Sequence, residues 1–265
     1  MNHSNKICTL WINGPLRLVD QVCLASMVAN DMDVTLYTYG DVSNVPANVK
    51  IANGEEVLSL KLIERLHPLV KPCSVRPIQH FSDFFRIECQ RLNKGMWMDS
   101  DILLFRKFNY NVEKMYFTKE GRSRIGFSAI YLPSSNPICS DYLNLRNSQS
   151  LIPPWLGIKR RLFKPALFRL TGRNYTASDL GITIFANDGF TRLARRYGFL
   201  EKAAAKNTFY HWTGRDNLKA FEKTEFRYMV NDPAIVGLHI AKKHLATTPG
   251  VPGSLWRWAL DKYGP

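Results

Sequence analysis

Acidic side chains are scarce in this chain. Of 265 residues, 22 are Asp or Glu against 36 Lys or Arg, an excess of 14 positive charges. An excess of that size points to an anionic partner (nucleic acid, an acidic membrane surface or a phosphorylated ligand), or to no more than a basic, soluble surface. Cysteines are few and scattered: Cys8, Cys23, Cys73, Cys89 and Cys139, with no C-x-x-C pair. That spacing indicates neither a zinc site nor a disulfide framework, and it fits a reducing compartment. No apolar run approaches the ~20 residues of a membrane span. The opening stretch MNHSNKICTLWING has no basic-then-apolar signal layout. A cytoplasmic protein is expected, one that could still touch the inner face of a bacterial plasma membrane from outside. Internal repeats, low-complexity tracts and obvious linkers are also missing, so one α/β domain over 1–265 is the simplest account.

What is present reads first as alternating strands and helices. ICTLWI (7–12) is strand-like and closes on Asn13-Gly14-Pro15. Leu16, Val19, Val22, Cys23 and Met27 lie at helical spacing, and DVTLYTY (33–39) alternates like a strand. Strand, helix, strand implies a parallel pair with a right-handed crossover. A second helical pattern covers about 56–66 and breaks at Pro68. A third carries Phe81, Phe84, Phe85, Cys89 and Leu92 on one face and ends at Gly95. MWM (96–98) and RIGFSAIYL (124–132) read as strands, and 137–147 and 188–198 as helices. Residues 153–178 read as irregular and very basic, and NTFYHW and AIVGLHI as short strand-like runs.

Chemistry concentrates in GMWMDSDILLF (95–105), where Asp99 and Asp101 follow a buried strand directly. In open α/β sheets that edge is where ligands bind. Two close carboxylates repel, so keeping both ionised needs a cation or donor groups beside them. Oxygen ligands suit Mg²⁺ or Mn²⁺. An isolated D-x-D is more often a plain polar turn, but here Asp83 and Arg86 share one face of the preceding helix, three residues apart. An aspartate and a guanidinium fork beside a metal-diphosphate site form a coherent set; the plainer reading of that pair is a surface ion pair.

HFSDFFRIECQRLNKGMWMDSDILLF resembles the signature of the DXD-containing sugar transferases of glycosyltransferase family 32, a pattern shared by the glucosyltransferase domains of large clostridial toxins. Weaker similarity continues in LWING, LYTY, SAIYLPSSNP, LGITIFANDGFTRLARRYGF and FYHW. The resemblance implies a GT-A fold, with a nucleotide-sugar-binding half over about 1–108 and an acceptor-binding half over about 109–265. It implies a hexosyltransferase that uses a nucleotide-sugar donor, usually UDP-linked, and a divalent ion, Mn²⁺ ahead of Mg²⁺, with retention of configuration. Capsular and lipopolysaccharide sugar transferases are its relatives, so the implied acceptor is a glycan or lipid-linked glycan at a bacterial inner membrane. By the same resemblance Asp83 and Arg86 would hold donor sugar and diphosphate. Trp97 would pack near the uridine, with Trp11, Ile12 and Asn13 lining the uracil pocket. Asp99 would bind hydroxyls and reach the metal through water, Asp101 would ligate it directly, and Ser100 and Ser128 would face the donor. The chain departs from the pattern at Ser128, where asparagine is common, at Ile182-Thr183, where Gly-Pro is usual, and at His211, where proline stands.

His239 is the candidate for a last metal ligand, against the plainer reading of a packed, hydrogen-bonded histidine. His211 either meets acceptor or belongs to a core Tyr210-His211-Trp212. Asp179 either faces the scissile bond or caps a helix. Lys159–Arg173 mixes Lys159, Arg160, Arg161, Lys164, Arg169 and Arg173 with Leu162, Phe163, Leu167, Phe168 and Leu170. It resembles a segment that lies on an anionic membrane, or is an ordinary basic loop with Pro165 breaking any continuous helix. Trp256 and Trp258 either join that surface or pack inside. A basic nucleic-acid-binding protein and a non-catalytic sugar-nucleotide-binding relative are the alternatives. Spread-out basic residues and the lack of a recognised module speak against nucleic acid, and the intact Asp83/Arg86/Asp99/Asp101 set against the second.

Overall fold

In the computed structural model, residues 2–66, 77–173, 175–176 and 179–265 are described. Pro68, Cys73 and Ser178 lie outside them. The strand–helix–strand start is as expected. After a two-residue β1 (His3–Ser4), β2 (Lys6–Ile12) leads through α1 (Leu18–Ala29) to β3 (Asp33–Tyr39), which pairs parallel to β2 from Lys6↔Asp33 to Ile12↔Tyr39. β4 (Lys50–Asn53) continues outward, parallel to β3. The chain then returns through a 3₁₀ turn (Gly54–Glu56), α2 (Leu62–Leu66) and α3 (Pro77–Arg91) to β5 (Met96–Met98), on the other side of β2. The expected helix over 56–66 is therefore two short pieces.

β6 (Ile102–Leu104) leaves this sheet. β7 (Tyr110–Asn111) pairs with β1, and β8 (Tyr116–Lys119) and β9 (Ile125–Tyr131) return to complete a six-stranded sheet of order β4-β3-β2-β5-β9-β8. β9 runs antiparallel to β5 and β8. Helices α4 (Pro137–Asn147), α5 (Lys164–Leu170), α6 (Asn187–Arg196), α7 (Asn207–Tyr210) and α8 (Arg227–Asn231) follow, then β10 (Gly237–His239) and α9 (Leu255–Tyr263). The α/β class is as the sequence predicted. Two details differ. NTFYHW contains the short helix α7, because a brief apolar run reads alike for a strand and a buried helix. Residues 159–170 are helical rather than irregular: a π turn over Lys159–Phe163 leads into α5. Pro165 sits in the first turn of α5, where a missing N–H breaks nothing.

Alternation along the strands divides the core by face. Ile7, Val34, Leu36, Met96 and Met98 pack toward Leu24 and Met27 of α1. Cys8, Tyr37, Tyr39 and Trp97 pack toward Phe81, Phe84 and Phe85 of α3. α1 has a second buried face: Val19, Val22 and Cys23 meet Leu103, Leu238, Trp256 and Ala259 from the C-terminal third. Trp256 is thus internal, and Trp258 packs on Phe105 and Phe226. The four described cysteines are free and buried. Among the described residues no helix is long and apolar enough to cross a membrane.

Gly95 makes the turn from α3 into β5 at φ 120°, and a Cβ there would stand 2.9 Å from the Lys6 carbonyl oxygen. Both conformation and space demand glycine. Gly95→Ala is expected to destabilise the fold by about 1–3 kcal/mol, read as a lower denaturant midpoint with an unchanged slope. A midpoint equal to wild type would refute this.

Candidate metal and phosphate site

The chain passes from β2 outward to β3 and β4, then back to β5 on the opposite side of β2. The gap between the C-terminal ends of β2 and β5 is therefore the point where strand order reverses, the usual place for a ligand in such sheets. A cavity of about 650 Å³ opens there. Trp11 and Ile12 from β2, Asp83 and Arg86 from α3, Trp97 from β5, Asp99, Ser100 and Asp101 from the following turn, Ser128 from β9 and His239 from β10 all line it. Asn13 does not. It occupies a left-handed turn at φ 55°, exposed beside the opening, and its side-chain oxygen accepts from the Gly14 N–H.

The aspartate turn sits where two sheets part. β5 stays in the large sheet, while β6 pairs antiparallel with β10, placing His239 opposite Ile102. The turn is closed by the Ile102 N–H donating to the Asp99 carbonyl (3.1 Å). It is tied on one side by the Asp99 N–H to the Ser128 carbonyl (2.7 Å) and on the other by the Ile240 N–H to the Asp101 carbonyl (2.9 Å). The Ser100 hydroxyl donates to Asp20 (2.6 Å), a buried carboxylate at the start of α1 that Arg17 also grips. Ser100 thus anchors the turn to α1.

Two charge clusters meet in the cavity. In the first, the Arg86 guanidinium lies between the Trp97 and Phe127 rings, 4.9 and 4.6 Å from their centroids, and donates to the Phe127 carbonyl. It stands 3.4 Å from Asp99 and 3.6 Å from Asp83. The Trp97 indole N–H also donates to Asp99 Oδ1 (2.7 Å). That leaves Asp99 Oδ2 with no hydrogen bond among the described residues. Asp83 is deeply buried; burial pushes its carboxyl up to about 8 against the pull of Arg86, with Asp99 adding to the rise.

In the second cluster Asp101 has no exposed surface. Burial alone would raise its pKa, yet facing His239 and Lys243 outweigh burial and hold it below the usual carboxylate range. His239 Nε2 stands 3.5 Å from Oδ1, and Lys243 makes an ion pair with Oδ2. Among the described residues neither Asp101 oxygen makes a hydrogen bond of ordinary geometry. Burial pulls the Lys243 pKa down, but Asp101 and then Asp99 more than restore it, leaving it raised. Buried Asn217 fixes this segment: its amide donates to the His239 carbonyl (2.8 Å) and its oxygen accepts from the Lys242 N–H (3.0 Å).

Ligand atoms of Asp99, Asp101 and His239 lie within 4.8 Å of one another. Two carboxylates and an imidazole, with an acidic oxygen pair short of hydrogen bonds, could hold a divalent metal ion. Sequence reasoning missed Lys243, Arg17 and Asn187, all of which line the cavity. The basic pair Lys242-Lys243 just after His239 was the one local signal for Lys243. His211 instead contacts the Tyr228 hydroxyl (3.0 Å), while Tyr210 and Trp212 are core. Asp179 accepts from the N–H and hydroxyl of Thr176 and does not line the cavity.

No family model matches the chain. No curated protein matches it either. Among solved structures the chain is similar to one titled "PaToxG Glycosyltransferase", at 11% identity, with 75% of this chain and 72% of that chain covered and a TM-score of 0.43. At that score the likeness carries no weight for the reaction, and the functional reading rests on the geometry above.

The elevated Asp83 pKa has a signed consequence for stability. An unfolded Asp releases its proton near 3.8, whereas the folded one holds it to about 8. Across that interval the folded chain binds the extra proton, so stability falls as pH rises and levels off above it. Asp83→Asn, which cannot titrate, is expected to show a shallower decline of melting temperature over the same interval. Parallel melting curves for the two proteins would contradict a buried, protonated Asp83.

Proposed function

We propose that this chain is a metal-dependent, retaining hexosyltransferase with a GT-A-type donor site. Its donor is a nucleotide-sugar, UDP-linked, and its acceptor a glycan or lipid-linked glycan of a surface polysaccharide. The observation that carries the reading is the convergence of Asp99, Asp101 and His239 with Asp83 and Arg86 in one cavity at the β2/β5 reversal. A volume of about 650 Å³ lies in the range of small-molecule sites. When bound, a divalent ion neutralises the diphosphate that departs from the sugar.

The protein's own groups supply the rest. Trp11 and Ile12, at the end of β2, form an apolar wall for a base. Arg86 keeps Asp83 and Asp99 apart and fixed, so neither must reorient when a sugar arrives. Asp83, protonated at neutral pH, offers a hydroxyl donor to a sugar oxygen. Asp99 presents its open oxygen to the cavity, while the Trp97 N–H fixes the other. Asp83, Asp99 and Asp101 are the only carboxylates lining the cavity among the described residues, and all three have these other tasks. Acceptor attack on the face that the diphosphate leaves, through a short-lived oxocarbenium ion pair, is therefore the proposed route.

The test is a screen of nucleotide-sugars with Mn²⁺, reading UDP release and thermal shift together. Asp101→Asn is expected to lose Mn²⁺ binding by titration calorimetry and to drop UDP release to background while remaining folded. A folded Asp101→Asn protein with wild-type turnover would exclude the metal reading.

Lys243 supports a second reading, in which its ammonium, already against Asp101, provides the positive charge for the diphosphate and no ion is required. The two readings separate under chelation. Metal dependence predicts that EDTA abolishes UDP release and that Lys243→Met, which frees Asp101, binds Mn²⁺ more tightly. Full activity in EDTA, lost only in Lys243→Met, would establish the second reading in its place.

A further inference from the structure

Half of the large apolar side chains exposed on the described surface lie in one short stretch. Ile158, Leu162, Phe163, Leu167 and Leu170 are each more than half exposed, Leu170 at 85%. Ile158 immediately precedes the helical run Lys159–Leu170 and the other four sit on it, and none of the run's residues is buried. A helix that buries no face in its own fold is unusual, because packing of an apolar face is what normally stabilises short helices. A cluster of this kind marks a surface that something else covers.

The charges around it are one-sided. From 142 to 178 the sequence contains no Asp or Glu and seven Lys or Arg. Of these, Lys159, Arg161, Lys164 and Arg169 lie on the run itself and are exposed. The run is fastened to the body at its start, where Arg160 pairs with Asp188 (3.1 Å) and Arg161 donates to the Pro154 carbonyl (3.0 Å). Asp188 belongs to the first turn of α6, and its neighbour Asn187 lines the site cavity. Exposed Ile78 and Ile182 also line that cavity.

We propose that Lys159–Leu170 is a membrane-docking element that lies flat on an anionic bilayer, its leucines and phenylalanine inserted among acyl chains and its basic side chains at the headgroups. The occupant is a lipid surface rather than nucleic acid. Phosphate backbones reward the charges but leave four leucine and isoleucine side chains and a phenylalanine in water, whereas an anionic bilayer accepts both. Twelve helical residues are too few to span, so the element lies in the interface. Docking there is tied, through the Arg160–Asp188 pair, to α6, whose Asn187 lines the cavity. This surface goes beyond the proposed reaction and does not depend on it.

The experiment is flotation of the full chain with vesicles of phosphatidylglycerol and phosphatidylcholine, against phosphatidylcholine alone, with no nucleotide or metal present. Circular dichroism verifies the fold of every variant. Wild type is expected to float with the anionic vesicles only, and less at high salt, since exposed charges are screened beyond ~8 Å at physiological ionic strength. The quadruple change Lys159→Gln, Arg161→Gln, Lys164→Gln, Arg169→Gln should weaken partition by more than about ten-fold, the scale set by each basic side chain at a charged surface. Leu162→Ser, Phe163→Ser, Leu167→Ser, Leu170→Ser should weaken it as much, although every charge is kept. Phe163→Trp should give a blue-shifted emission on binding. Failure of wild type to float, or retention of binding by both multiple variants, would overturn the proposal. So would loss of self-association in the serine variant without any vesicle binding, which would make a second copy the cover. RNA binding that survives the serine changes while flotation is absent would assign the surface to nucleic acid. Because no donor is present, each of these outcomes leaves the sugar-transfer reading standing or falling on its own test.

Discussion

A carboxylate with no exposed surface at the end of a strand is the constraint around which this molecule is arranged. Removing such a group from water costs several kcal/mol unless positive charge and hydrogen bonds meet it. Asp101 is met from far along the chain: β10 pairs with β6, brings His239 to its edge, and the next turn delivers Lys243. Asn217 then locks the delivering segment by bonding both sides of it. The C-terminal third is joined to the main sheet by this electrostatic demand as well as by the apolar contacts of α1 with α9. The carboxylate of the candidate metal site is also a fold-closing contact, which makes the aspartate turn structurally constrained.

The second cluster has a different logic. α3 is buried nearly all round, and its phenylalanines explain only part of that burial. Asp83, Arg86 and Gln90 form a polar stripe along the same helix, with the Gln90 amide donating to the Gly95 carbonyl (3.1 Å) and its oxygen accepting from the Leu132 N–H (3.1 Å). Buried polar groups persist only when partnered, and this stripe is partnered by β9 and by the residues that flank β5 and β9. One guanidinium serves two carboxylates, and at the more deeply buried Asp83 burial outweighs its pull and pushes the carboxyl up to about 8.

Much of this was legible in the residues. The β2–α1–β3 unit follows from period-2 and period-3.6 patterns, the apolar face of α3 from Phe81, Phe84, Phe85 and Cys89, and the placement of Asp99 and Asp101 from a strand that runs directly into charge. The β6–β10 ladder was not, because it joins residues more than 130 positions apart and short strands leave no local mark of their partner. Lys243 was invisible for the same reason: its role exists only once Asp101 is beside it. Residues 159–170 misled because proline argues against a continuous helix, while a π turn ahead of Pro165 lets the run continue. Tyr210 looked like part of a strand, yet its hydroxyl reaches the Ser128 N–H (3.0 Å) from a helix of four residues. For the ladder, Lys243 and Tyr210 the missing information was a tertiary partner rather than a propensity; for 159–170 it was a local detail of backbone winding.

Site and exposed helix are mechanically connected. Arg160 holds the start of the helical run to Asp188, Arg192 pairs with the same carboxylate, and α6 carries Asn187 into the cavity wall. Phe190 and Leu193 of α6 are buried in the core shared with α3, so α6 is a rigid strut rather than a hinge. An apolar, basic surface fixed to such a strut cannot be engaged without also fixing the orientation of the cavity relative to whatever engages it. On the proposed reading, with an acceptor confined to a lipid plane, a fixed orientation would replace a search in three dimensions with one along a surface. The gain then comes from positioning and not from any added contact with the acceptor.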